Sequence, residues 1–390
     1  MWIHREISDF TERARGERPA LLLTGSRQVG KTSLLEHAFP QYGYVSLDLP
    51  MLAEEAESAG ADFLRRQPRP LIIDEVQYAP GLFRYLKAAI ESQRDRNGQF
   101  LLTGSQKLVL MERISESLAG RIAVIEMYSL SLVEIERFTK APISRDVLCD
   151  WMFRGGYPEV VAKGLDPRRF YADYVATYLE RDVRQTLAVR NLRDFDRFLR
   201  LCALRTGQLL SMNSLASEVG VAVNTIKSWI SVLEASGVIW LVEPYYRNLG
   251  KRLVKTPKLY FADTGLACFL AGVDSPATLR KSALLGAYFE TLALGQLIRH
   301  FANRGDPSRV YFYRDHQGNE VDFVIPVGEK LHLFECKWAE TPDPRPRGFV
   351  QLGKLLPDGD ILSSTILTPD RGQRKLEGVT IRDCVEPIPG

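Results

Sequence analysis

The sequence predicts an α/β chain: a parallel sheet wrapped by helices, then a helical middle, then a second and smaller α/β unit. Three observations carry that prediction. An apolar strand of Leu21, Leu22 and Leu23 runs through a loop bounded by Gly25 and Gly30 into a helix beginning near Lys31. A second apolar run, Leu71, Ile72 and Ile73, ends in Asp74 and Glu75. Strand-like alternation returns between residues 310 and 338, where Glu335 and Lys337 fall on one face of a strand.

The 390 residues exceed what one hydrophobic core usually holds, so about two to four domains are expected. Hydrophobic residues at 45% and charged residues at 25% are ordinary for a folded globular chain. No apolar run approaches the roughly 20 residues that span a bilayer, and the amino terminus has no charged segment followed by an apolar one. The five cysteines are scattered without a C-x-x-C pair, which predicts reduced thiols, a cytoplasmic location and no cysteine-based zinc site. The formal charge of +3 hides an asymmetry: residues 161–260 hold sixteen Lys and Arg against nine Asp and Glu. A basic middle segment is compatible with nucleic acid.

In chain order, Ile7, Phe10 and Ala14 recur at helical spacing in a lead-in helix that ends before Pro19. The following strand enters Gly25, Ser26, Arg27, Gln28, Val29, Gly30, Lys31, Thr32 and Ser33, of which residues 25–32 satisfy G-x-x-x-x-G-K-[ST]. Glycines at both ends let the backbone turn tightly with its N–H groups inward, and the helix adds the positive end of its dipole. Such a loop binds phosphate, with Lys31 reaching the β- and γ-phosphates of a nucleotide and Thr32 holding Mg²⁺. A second strand is expected over residues 42–49 and a helix over 53–65.

The Leu71 strand would carry Asp74 to the carboxyl edge of the sheet, beside the phosphates. Asp74 would then hold Mg²⁺ through its ligand waters, and Glu75 would orient or deprotonate an attacking water. After a helix over 82–94, the strand over 99–105 ends in small hydroxyls, Thr103 and Ser105, that suit sensing of a γ-phosphate. Another helix, over 108–118, leads to Arg121, placed to stabilise transition-state charge either within the chain or from a neighbouring subunit.

Residues 147–200 read as helical with breaks at Gly155, Gly156 and Pro158 and again at Gly164 to Pro167; Arg181 and Arg184 follow an apolar face there. Next, Leu215, Ala216, Val219 and Val221 surround a turn at Gly220, and a helix starting at Asn224 or Thr225 buries Ile226, Ile230 and Leu233. A strand over 238–246 and a basic hairpin complete a winged-helix pattern. Lys227, Ser228, Arg247, Lys251, Arg252 and Lys255 would contact DNA phosphates and groove. Winged helices also serve as protein-contact modules, so a protein partner is the second expectation.

The strings GSRQVGKTSLL, LIIDEVQ, LLTGSQ, GR and YSLSLVE resemble a family of prokaryotic AAA+-type P-loop ATPases whose C-terminal region was long classed as a domain of unknown function. The later strings GGYPE, YLERD and KLYFADTGL extend the resemblance over nearly the whole chain. It implies ATP binding and hydrolysis with Mg²⁺, a helical lid over the nucleotide and a homo-oligomer of ring type. At the C terminus, Glu290 on a helix, Asp322 on a strand and Glu335 with Lys337 on the next strand resemble the PD-(D/E)XK endonuclease core. By that resemblance Asp322, Glu335 and the Cys336 carbonyl would hold Mg²⁺ or Mn²⁺, Glu290 would support the metal and Lys337 would activate water. The expected organisation is an ATPase core over 1–142, a helical lid over 143–205, a winged helix over 206–273 and a restriction-endonuclease-like α/β domain over 274–390. The expected work is ATP-driven action on DNA, and the competing expectation is a regulatory ATPase switch acting on proteins.

Overall fold

A computed structural model of the chain describes residues 2–105, 107–179, 192–245 and 254–388. Strands β1 (Ala20–Thr24), β2 (Gly43–Ser46), β3 (Leu71–Asp74), β4 (Phe100–Gly104) and β5 (Ile122–Glu126) form a sheet in the order β2-β3-β4-β1-β5. All four pairings are parallel. Every residue of β1, β3 and β4 is buried, as expected of strands covered by helices on both faces. Alternation divides the strands between two cores: Leu22, Ile73 and Leu102 pack with Phe63, Phe83 and Ile90, while Leu21, Leu23 and Leu101 pack with Ile7, Leu34 and Leu35.

The helix expected over 53–65 is two helices, Pro50–Ser58 and Gly60–Arg66. The break falls where Gly60 packs on Tyr85, whose ring lies 2.3 Å from where a Cβ at that glycine would sit. The helical middle contains Arg145–Arg154, Pro158–Lys163, Pro167–Tyr174 and Leu192–Leu204. Arg181 and Arg184 lie outside the described residues.

Beyond it come the short strand β6 (Gln208–Leu209), the helices Met212–Val219 and Val223–Ala235, and strands β7 (Ile239–Val242) and β8 (Lys258–Phe261). These strands pair antiparallel in the order β6-β8-β7. After helix Thr264–Leu270 and the long helix Leu285–Arg304, a mixed six-stranded sheet closes the chain. Its strands are β9 (Tyr311–Arg314), β10 (Glu320–Val327), β11 (Lys330–Cys336), β12 (Ile361–Thr368), β13 (Gln373–Leu376) and β14 (Val379–Asp383), ordered β13-β14-β12-β11-β10-β9. β9, β10 and β11 are antiparallel, and β11, β12 and β14 are parallel.

The core on one face of the first sheet does not end with that sheet. It continues through Leu148, Phe195, Leu215 and Ile226 into Tyr260, Leu294 and Leu297. A buried polar node lies within this continuous core. Asp263 caps helix Thr264–Leu270 by accepting from the N–H groups of Gly265 and Leu266. It also accepts from the Gly156 N–H at 2.8 Å, the Tyr171 hydroxyl at 2.7 Å and the Ser129 hydroxyl at 3.2 Å. Arg299, from the long helix, donates to the Ser129 carbonyl at 2.8 Å, the Ser129 hydroxyl at 2.6 Å and the Ala262 carbonyl at 2.9 Å. This node explains the paired glycines: a Cβ on Gly155 would lie 2.2 Å from Asp263 Oδ1, and one on Gly156 would lie 2.6 Å from the Leu130 carbonyl oxygen.

Removing the cation from such a buried network leaves its partners unpaired. Arg299→Met is therefore expected to lower the free energy of unfolding by about 3–5 kcal/mol, read from urea denaturation followed by circular dichroism.

Candidate nucleotide site and a C-terminal carboxylate cluster

β1 delivers the chain to Gly25 at the carboxyl edge of the sheet, and helix Lys31–Ala38 leaves from Gly30. Gly25 has φ +140°, and a Cβ there would lie 2.0 Å from the Met127 carbonyl oxygen. Gly30 has φ +94°, in the left-handed region that glycine tolerates. Arg5 braces the loop from below, its guanidinium donating to the Val29 carbonyl at 2.8 Å and to the Tyr128 carbonyl at 2.7 Å. Lys31 folds over the loop, with Nζ donating to the carbonyls of Gly25 at 3.0 Å and Ser26 at 2.8 Å.

The Thr32 hydroxyl donates to Asp74 Oδ1 at 2.7 Å, which brings the two expected Mg²⁺ residues together. The chemistry of this donor set, a hydroxyl beside a carboxylate at a phosphate loop, suits that ion. Thr103 also bonds Asp74 Oδ1, and its oxygen accepts from the Glu75 N–H at 3.0 Å. Tyr44 donates to Asp74 Oδ2 at 3.1 Å, and burial together with the Asp74 charge pushes its phenol above the usual range. Glu75 adopts the left-handed conformation at φ 54° and is held by the Gln77 side chain. Lys31, Thr32, Ser33, Glu75, Tyr78 and, from the helical middle, Pro158 and Glu159 line a cleft of about 1120 Å³ with Arg27, Gln28 and Gly30.

Four expected site residues do not line the cleft with their side chains, although Ser26 and Val29 remain part of the loop backbone. Ser26 is turned away from the cleft, its hydroxyl donating to the Gly237 carbonyl at 2.8 Å. Val29 is wholly buried beneath the loop. Ser105 has a buried hydroxyl without a hydrogen-bond partner among the described residues, so Thr103 is the strand-end hydroxyl that meets Asp74. Arg121 lies at the amino edge of the sheet, where its carbonyl accepts from Ala20 N–H and its guanidinium pairs with Glu91. In a parallel sheet that is the edge opposite the loop, so Arg121 does not reach the nucleotide site of its own chain.

At the C terminus, Glu290, Glu320 and Asp322 have carboxylate oxygens within 4.8 Å of one another. Asp322 accepts from the Cys336 N–H at 2.7 Å, and Lys337 Nζ donates to Glu335 Oε1 at 2.7 Å. Glu335 Oε2 is buried with no partner among the described residues, the kind of atom a cation would satisfy. Burial, reinforced by Glu290 and Glu335, raises the Asp322 carboxyl well above the usual range; burial raises Glu335 too, against the opposing pull of Lys337.

The sequence reading missed Glu320 and Lys258. Lys258 is buried on β8 and donates to Glu290 at 2.9 Å and to Glu320, while Tyr260 donates to Glu290. Glu320 was detectable, since it sits two residues before Asp322 and so on the same strand face. Of the expected DNA-contact residues, Lys227, Ser228 and Lys255 are exposed; Arg247, Lys251 and Arg252 lie outside the described residues.

Comparison with known proteins agrees with the geometry of the loop. Residues 17–136 match the family described as an AAA domain. The core is an AAA-type ATPase domain. Residues 145–277 and 285–383 match two families described as domains of unknown function, DUF8612 and DUF4143. An uncharacterized protein of Mycobacterium tuberculosis, Rv2008c, is 31% identical over 341 residues, covering 87% of this chain and 74% of that protein. This chain belongs to the same family. An uncharacterized Haemophilus influenzae protein is 26% identical over 241 residues, 58% of this chain and 57% of its own length. Among solved structures, the Walker-type ATPase PABY2304 of Pyrococcus abyssi aligns over 69% of this chain and 96% of that one, at 18% identity and a TM-score of 0.46. Among the described residues, no helix is long and apolar enough to cross a membrane.

The crowding at Gly25 makes a direct test of the loop. Gly25→Ala is expected to weaken nucleotide binding at least about fivefold, because strain of this kind costs about 1–3 kcal/mol. Gly16→Ala, where the added Cβ meets nothing within 4 Å, leaves affinity unchanged. Titration with a fluorescent ATP analogue reads both.

Proposed function

We propose that the chain is a Mg²⁺-dependent ATPase that uses its nucleotide state to act on DNA. The observation that carries this reading is the hydrogen bond from Ser26, inside the phosphate loop, to the Gly237 carbonyl just past the end of helix Val223–Ala235. The loop N–H groups and Lys31 would hold the β- and γ-phosphates, and Glu75 would orient the attacking water. Mg²⁺, held by Thr32 and by Asp74 through its waters, would supply charge neutralisation on the phosphates. A loop that tightens on a γ-phosphate would pull on Ser26 and so on the helix behind Gly237.

The element order of helix Leu192–Leu204, β6, helices Met212–Val219 and Val223–Ala235, then β7 and β8 supports the winged-helix reading of this region. Lys227 and Ser228 stand on the outer face of its second turn-helix, and Lys255 precedes β8. Salt-sensitive contacts with phosphate follow from such groups. The C-terminal arrangement of helix, three antiparallel strands, helix and a parallel strand supports the restriction-endonuclease-like reading, with Asp322 and Glu335 as the groups that would hold Mg²⁺ or Mn²⁺. A regulatory switch acting on proteins is the second reading: Lys227 and Glu234 share the exposed side of one helix, a mixed charge that suits a protein surface.

Steady-state ATPase assays with and without duplex and forked DNA, at low and high salt, separate the two. DNA is expected to raise turnover at low salt. Lys227→Glu with Lys255→Glu removes the stimulation, and Glu75→Gln retains nucleotide binding but loses turnover. Turnover indifferent to DNA at low salt, where phosphate contacts are strongest, removes the DNA reading.

A further inference from the structure

Lys258 is the least expected charge in the molecule. It occupies an otherwise apolar strand, its side chain is 2% exposed, and its backbone pairs with Leu209 on one side and Val242 on the other. An ammonium this deep survives only when its charge is met. Here Nζ is bonded to Glu290 on the long helix and to Glu320 on β10, with the rings of Phe312 and Tyr260 at 5.6 Å and 5.9 Å. Those two glutamates and Asp322 are the carboxylates close enough together to ligate a single ion. The lysine therefore sits where the cluster would place a cation. Among the described residues, Glu290, Glu320, Asp322 and Glu335 face three cationic side chains, Lys258, Lys337 and Arg314, the last bonded to Glu320 at 2.7 Å. With all four carboxylates ionised, one negative charge is left over. Exchanging the ammonium for a divalent ion would neutralise the cluster.

We propose that Lys258 is a built-in cation that occupies this carboxylate cluster and gates it, so that a divalent metal enters only when β8 withdraws the ammonium. The inference rests on reading the cluster as a metal site. The strand that carries the gate is well placed to be moved. β8 ends two residues before Asp263, and its neighbour β7 begins two residues after Gly237, the residue bonded to Ser26 of the phosphate loop. Displacement at the loop therefore has a short hydrogen-bonded route to Lys258, through the Ser26–Gly237 bond and the β7–β8 ladder.

Mn²⁺ binding to the full chain without nucleotide, read from the electron paramagnetic resonance signal of free Mn²⁺, tests this. Lys258→Met is expected to bind Mn²⁺ at least about tenfold more tightly than the unaltered chain, since a competing charge has gone. Adding Asp322→Asn to that variant abolishes the gain. Equal, Asp322-dependent affinity with and without Lys258 overturns the gate but leaves the metal-site reading standing. Absence of Asp322-dependent binding in both folded proteins overturns the metal-site reading, and the gate with it. If Lys258→Met does not fold, acylation of Lys258 in the unaltered chain, followed by mass spectrometry, gives the answer. Mn²⁺ is expected to speed its labelling, and to do so only when Asp322 is intact; a labelling rate indifferent to saturating Mn²⁺ overturns the proposal.

Discussion

The structure depends on one buried contact set: Asp263 and Arg299 closing around Ser129. Ser129 follows the first sheet, Gly156 and Tyr171 belong to the helical middle, Asp263 follows β8, and Arg299 comes from the long helix of the C-terminal part. Charges are costly inside a protein, and this pair is tolerated because both Asp263 oxygens and three guanidinium hydrogens are matched by hydrogen bonds. Burial lowers the Arg299 pKa from its usual value, while Asp263 and Glu134 oppose that fall. Because the partners come from four stretches of chain, none of those stretches can shift without disturbing the others. The continuous apolar core around the node has the same consequence.

The nucleotide loop sits at the rim of this arrangement. Arg5 ties Val29 to Tyr128 and Glu134, directly before and after the Ser129 segment, and Ser26 bonds Gly237. A loop joined on two sides to the rest of the molecule is suited to transmit its state, whereas a free-standing nucleotide enzyme would need neither tie. The C-terminal carboxylate cluster lies at the other end of the same connection, through β8. The proposed coupling would be a free energy shared between the two sites, felt reciprocally at both.

The parts that were legible in the sequence are those whose chemistry is local. The spacing of Gly25, Gly30, Lys31 and Thr32, between an apolar strand and a helix, is a local pattern that suits a phosphate loop, and an apolar parallel strand ending at Asp74 delivers that carboxylate to the same edge. Strand alternation likewise put Glu335 and Lys337 together. For Arg121 the sequence already favoured one of its two expected roles: it precedes a parallel strand, so it emerges on the amino edge, away from the loop of its own chain, which leaves the role from a neighbouring subunit. The side-chain directions of Ser26 and Ser105 were not legible: one faces Gly237 and the other is enclosed. Lys258 was illegible for a different reason. A lysine in a strand ordinarily reads as a solvent contact, and its acidic partners stand 32 and 62 residues away in sequence. The same holds for Asp263 and Arg299, whose meaning exists only in tertiary contact.

Hydrogen–deuterium exchange on the Glu75→Gln chain, with and without ATP and Mg²⁺, tests the central claim that nucleotide state travels through these contacts. The account predicts altered protection in residues 24–34 and, together with it, in residues 232–245 and 258–270. Changes confined to residues 24–34 and 74–78, with the regions around Gly237 and Asp263 exchanging as before, would contradict it.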